Sequence, residues 1–172
     1  MISNLLNSSL KHVWQALVII IVTVLSSRVS YKICNKQKIV LYEEFYILLS
    51  VTYLIMLYEL VTRVDYNTLG GGINIIPFAE ILRYKISSHL FLLNVIGNIL
   101  LFVPFGFIIS SYVKPNKFYL PVLISFLVSI TIEFVQLNIG RSFDVDDIIL
   151  NTIGATFGYL IYKIINKMSI FK

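Results

Sequence analysis

Asn94 and Asn98 stand four residues apart, Glu133 and Gln136 three apart, and Asp144, Asp147 and Asn151 follow one another at three and then four. On a helix each set shares one face. Carboxylates and carboxamides gathered on one face can hold a polar ligand through hydrogen bonds. Two carboxylates in unlike surroundings could also serve as a general acid and base. Arg141, between Gln136 and Asp144, adds a bidentate cation close enough in sequence to pair with Glu133 or an aspartate. Together Asn94, Asn98, Glu133, Gln136, Arg141, Asp144, Asp147 and Asn151 make a candidate polar cavity.

The elements that must position these groups follow from composition. The chain has 172 residues, 58% hydrophobic and 13% charged, where soluble domains carry about 25% charged residues. So few charges cannot cover a water-soluble globule of this size. With 4 Pro and a single Cys the chain fits neither disorder, collagen nor a disulfide-stapled secreted module. The expectation is an all-α integral membrane bundle, one domain over residues 1–172, with about five transmembrane helices. They are predicted near 10–27, 39–61, 90–112, 118–137 and 146–165, some reaching the ~20 residues of a span by taking in a charge near one end. The first is read as a retained helix: its apolar run exceeds that of a signal peptide and no A-x-A-like cleavage site follows.

Basic residues set the expected orientation. Arg28, Lys32, Lys36, Lys38, Lys114, Lys117, Lys163, Lys167 and Lys172 fall on one side, and Lys11, Arg63, Arg83, Lys85 and Arg141 on the other. The bias puts the N-terminus outside and the C-terminus in the cytoplasm. Asn94, Asn98, Glu133, Gln136, Asp147 and Asn151 then share the outer half of the bilayer. The net charge of +5 reads as attraction to anionic lipid, and no nucleic-acid motif is present. Between the second and third helices, Gly70, Gly71 and Gly72 precede Pro77 and a stripe of Phe78, Ile81, Leu82 and Ile86. That segment is expected as an amphipathic helix on the outer membrane surface, with Pro77 at its first position, poised as a lid over the polar cluster.

Plainer roles compete for several of these residues. Asn94 and Asn98 could join helices through hydrogen bonds, and Gly154 with Gly158 is a small-x-x-x-small packing pattern. Asp144 and Asp147 have the spacing of a helix-capping pair, and Pro104 with Gly106 suggests a kink. Glu133 resists such explanations, because an ionisable group at membrane depth costs roughly 2.5–3.5 kcal/mol. No cofactor or metal is expected. His12, His89 and Cys34 lack ligand spacing for zinc, and no phosphate-binding glycine loop or serine elbow occurs. Asp144, Asp146 and Asp147 could meet Ca²⁺ or Mg²⁺ but lack the full loop signature.

The blocks NIIPF (Asn74 to Phe78), NVIGNILLFVPFG (with Asn94, Asn98, Phe102, Pro104 and Gly106), EFVQ (Glu133 and Gln136), RSFDVDD (Arg141, Asp144, Asp146, Asp147) and NTIGATFG (Asn151, Gly154, Gly158) resemble the VanZ-like membrane proteins in order and spacing, over about residues 73–162. Ala155 departs from the second glycine of many members, a change expected to affect packing. The resemblance implies a bacterial inner-membrane protein connected with resistance to teicoplanin-type glycopeptides. Its expected partners are membrane lipids and, at the outward cavity, lipid-linked envelope precursors or a lipoglycopeptide. A membrane enzyme or a lipid-carrier transporter acting on envelope intermediates is the alternative, and the sequence leaves the oligomeric state open.

Overall fold

The computed structural model describes residues 2–62, 72–84, 86, 88–114 and 117–167, with side chains from Val18 onward. The expectations placed on Lys11, His12, Arg63, Gly70, Gly71, Lys85 and Lys172 lie outside the described residues or side chains. Helix α1 covers Ile2–Cys34 and α2 Leu41–Thr62. A two-residue strand β1 (Ile73–Asn74) and a short helix α3 (Ala79–Arg83) follow. The long helices α4 (His89–Val113) and α5 (Tyr119–Asn138) lead to strand β2 (Phe143–Asp144) and helix α6 (Val145–Lys167).

Among the described residues, α2, α4, α5 and α6 are long and apolar enough to cross a membrane. The chain is a helical, multi-pass membrane protein. The helix expected at 10–27 lies within α1, which is longer at both ends. The others match their expected ranges within three residues at each end.

The chain divides into two compact units, Met1–Glu59 and Leu60–Lys172. Within the first, Lys36 takes a left-handed backbone conformation (φ 54°) that ends α1. Ion pairs then tie Arg28 and Lys32 of α1 to Glu43 and Glu44 at the start of α2.

In the second unit, α4 and α6 pack with their backbones in contact. A Cβ built on Gly154 would strike the carbonyl of Ile99, and one on Gly158 the carbonyl of Val103. A Cβ on Gly106 would collide with the backbone of Ala155. The small-residue stripe therefore does the packing expected of it, and Gly106, expected at a kink with Pro104, admits the neighbouring helix instead. Phe102, wholly buried, stacks obliquely on Phe105 at 5.4 Å, and Phe107 meets Tyr162 edge-on. The irregular turn of α4 lies earlier, at Leu92–Ile96, where the helix widens to π geometry and the N–H of Gly97 reaches the carbonyl of Leu92. Such single-turn bulges concentrate at functional sites. Gly140, at φ 86°, ends α5 in a conformation that suits glycine. The chain then turns into β2, which pairs in parallel with β1 in the register Ile73 to Phe143 and Asn74 to Asp144.

The segment before α4 differs from expectation. The helix spans only Ala79–Arg83 and begins two residues after Pro77, because Phe78 at φ 67° is left-handed and cannot continue a helix backwards. Phe78, Leu82 and Ile86 are exposed, while Ile81 is half-buried.

Candidate functional site

The N-terminal end of α4, the C-terminal end of α5 and the N-terminal end of α6 meet, and hydrogen bonds lace them together. The Asn98 amide donates to Asp147 Oδ1, joining α4 to α6. The Asn151 amide donates to Ser129 Oγ at 2.9 Å, joining α6 to α5 one turn deeper. Glu133, 1% exposed, accepts the backbone N–H of Asp144 through Oε2 at 2.8 Å. Since Ser129 faces Asn151, Glu133 one turn on and Asp147 one turn back occupy the next layer of the antiparallel pair.

The expected capping pair is realised differently. Asp144 does cap α6: its Oδ1 accepts the N–H of Asp146 at 2.8 Å. In a capping box the acid three residues on would reach back to the cap's own N–H. Here Asp147 turns to Asn98, and Glu133 of α5 takes that N–H in its place. The Asn74 amide meets both oxygens of Asp144 at 3.2 Å, reinforcing the strand pairing. Burial holds the Asp144 carboxyl above its ordinary range, against the opposing pull of those donors.

Asp146 has a role that spacing in the sequence does not assign. Fully buried, it accepts the backbone N–H groups of Phe78, Glu80 and Ile81. It thereby satisfies the orphan donors at the start of α3 from a distant region of the chain. The β1–α3 segment is thus clipped to the head of α6 by Asp144 and Asp146 together. The three aspartates have separate tasks, and among the described residues no group of three or more His, Cys, Asp or Glu is arranged to hold a metal ion.

Two expected members stand apart from this network. Asn94 lies in the π turn, exposed, and its amide bonds to no other described residue. Arg141 forms no ion pair among the described residues: its guanidinium reaches the carbonyl of Val61 at 3.5 Å, where the Gln136 amide also donates at 3.1 Å. The end of a helix offers carbonyls without intrahelical donors, and these two side chains supply them. Ser129 lies outside the expected set, although Ser125, Ser129, Glu133 and Gln136 recur at helical spacing and are all buried. That small-and-polar stripe is the signal that could have found it.

Some acceptors remain open. Glu133 Oε2 and Asp147 Oδ1 are the bonded oxygens of their carboxylates, and the second oxygen of each accepts nothing from a described residue. Asn151 Oδ1 is buried and has no partner among the described residues.

This geometry defines a class of protein: a polytopic helical membrane protein whose spans are joined near one membrane face by a buried, acid-rich hydrogen-bond network. The family model described as VanZ/LLP1 matches residues 13–166, and the chain belongs to that family. The match extends through the first two helices, beyond the blocks between residues 73 and 162. Among curated proteins the chain is similar to Protein VanZ of Enterococcus faecium, 28% identical over 124 residues, covering 67% of this chain and 71% of the relative. No solved structure matches significantly.

Proposed function

We propose that the protein sits in the bacterial cytoplasmic membrane with its N-terminus outside and its C-terminus in the cytoplasm. In this reading it binds an envelope component or the acyl-bearing portion of a lipoglycopeptide at the polar end of α4, α5 and α6. Occupancy there lowers drug access and so contributes to resistance of the teicoplanin type. The observation that carries this reading is the burial of Glu133 at the polar end of α5, in the same layer as the half-buried Asp147, each with a carboxylate oxygen that no described residue bonds.

Membership of the VanZ/LLP1 family and the likeness to Protein VanZ support the connection with glycopeptides. The charge distribution supports the orientation, since Lys114, Lys117, Lys163 and Lys167 lie at the end of the second unit opposite the network.

Teicoplanin susceptibility tests the function: Glu133→Gln and Asp147→Asn, at membrane levels equal to wild type, are expected to lower resistance toward that of the host lacking the protein. Unchanged resistance in both would overturn the reading. Orientation is tested by Cys34, the single thiol and exposed. It should resist a membrane-impermeant maleimide in intact cells and react after lysis; labelling in intact cells would reverse the topology.

A further inference from the structure

Where α1 turns into α2 a cavity of about 320 Å³ opens, lined by Ser27, Arg28, Tyr31, Lys32 and Gln37. Every lining side chain is polar, two are cations and none is an acid. Glu43 and Glu44 pair with Arg28 and Lys32 without lining the cavity themselves. Those four charges cancel, so the acids present no net repulsion to an anion. The excess comes from the connecting turn, where Lys36 and Lys38 are exposed and form no ion pair with a described residue.

The turn itself is fixed. The N–H of Gln37 reaches the carbonyl of Lys32 at 2.8 Å and that of Lys36 the carbonyl of Ile33 at 3.1 Å, the two bonds of a Schellman motif. Glycine is the usual residue at the left-handed position of this motif, and here it is Lys36. The chain accepts a conformational cost at a place where it gains a positive charge. Of the lining groups, the neutral ones can donate or accept and do not choose a ligand, whereas the cations do. Glu44 takes Nε and Nη2 of Arg28 and so orients a guanidinium whose side chain stays 36% exposed. A guanidinium suits phosphate in geometry and charge. The cavity adjoins the first residues of a span, and Tyr31, Leu41, Tyr42 and Phe45 nearby in the chain are exposed. A membrane lipid brings a phosphate to that level of the bilayer and chains to lie on such side chains, and basic pockets between spans hold headgroups in this way.

We propose that the cavity holds the phosphate of one anionic phospholipid, with Arg28 and Lys32 at the headgroup and Lys36 drawing it in. The inference does not depend on the ligand reading at α4, α5 and α6.

The test titrates the full chain in a neutral detergent with phosphatidylglycerol, phosphatidylcholine and inorganic phosphate, and counts bound molecules by native mass spectrometry. One phosphatidylglycerol per chain is expected to bind about tenfold more tightly than phosphatidylcholine, and inorganic phosphate at equal concentration not to displace it. Arg28→Gln should weaken that binding about tenfold. Lys36→Gly should weaken it severalfold while holding or raising the melting temperature, because the turn then carries the residue its backbone suits. A purely structural role for Lys36 would not give that separation. Replacing Lys163 and Lys167, two exposed cations of α6, by Gln should leave binding unchanged. Equal retention of the two lipids, or an equal loss on removing the α6 cations, would reduce the effect to diffuse attraction and overturn the site. Inorganic phosphate binding as tightly as the lipid would overturn the lipid assignment in favour of a soluble phosphate compound. Binding indifferent to both Arg28→Gln and Lys36→Gly would place the lipid elsewhere and overturn the proposal.

Discussion

In the first unit, Glu43 and Glu44 meet the cations of Arg28 and Lys32 at 2.7 to 2.9 Å. In the second, Glu133, Asp144 and Asp147 meet backbone N–H groups and the amides of Asn74 and Asn98, and Asp146 meets only backbone N–H groups. The pairing in the first unit cancels charge and leaves the helix junction electrically quiet. Bonding to neutral donors satisfies geometry but brings no counter-cation to the second unit. The contrast separates acids paired with cations from acids that cap and join backbone ends, and the ligand reading proposed above draws on two of the latter, Glu133 and Asp147.

The difference can be broken most forcefully at the α4–α6 contact. Gly154→Leu must force apart backbones that touch, well beyond the roughly 1–3 kcal/mol of ordinary overpacking. It should abolish a folded second unit, seen as loss of a monodisperse peak in detergent. Next in size, Asp146→Ala strips the acceptor from three backbone N–H groups. With interfacial water in partial replacement it should cost about 1–3 kcal/mol and expose residues 72–84 to proteolysis while the spans stay intact. Smaller again, Lys32→Met leaves Glu44 paired with Arg28, so the melting temperature should fall less than for Asp146→Ala. A larger fall would mean that the first unit depends on its charges more than the second depends on its clip. The smallest effect sharpens the electrostatic side. Because burial raises the folded Asp144 above its unfolded value of 3.8, its contribution to stability is complete below that value and is lost as pH rises through the folded one. Asp144→Asn, which retains an acceptor for the Asp146 N–H, should remove that slope from a pH series of melting temperatures.

Much of the second unit was legible because membrane spans announce themselves by length and apolarity, and because glycines at i and i+4 report close packing. Asn98, Glu133 and Asp147 were legible as polar residues set on helix faces, but which of them would bond, and to what, was not. Other features turned on partners far along the chain. Asp146 and Phe78 are separated by 68 residues, and no local pattern says that one caps the other. The amphipathic stripe of Phe78 to Ile86 implied a longer helix, but a single left-handed residue fixed its start. Arg141 was drawn toward acids by charge, whereas its reach and the bare carbonyl of Val61 decided otherwise.

The bond from Glu133 to the N–H of Asp144 has a bearing on biosynthesis. The two residues are 11 apart, so α5 emerges from the ribosome before the group that satisfies its carboxylate exists. Released alone into lipid, α5 would carry an unmatched acid, whereas a helical hairpin already closed at Gly140 carries its own complement. The translocon should therefore retain α5 until α6 follows, and the pair should leave it together as a single cargo.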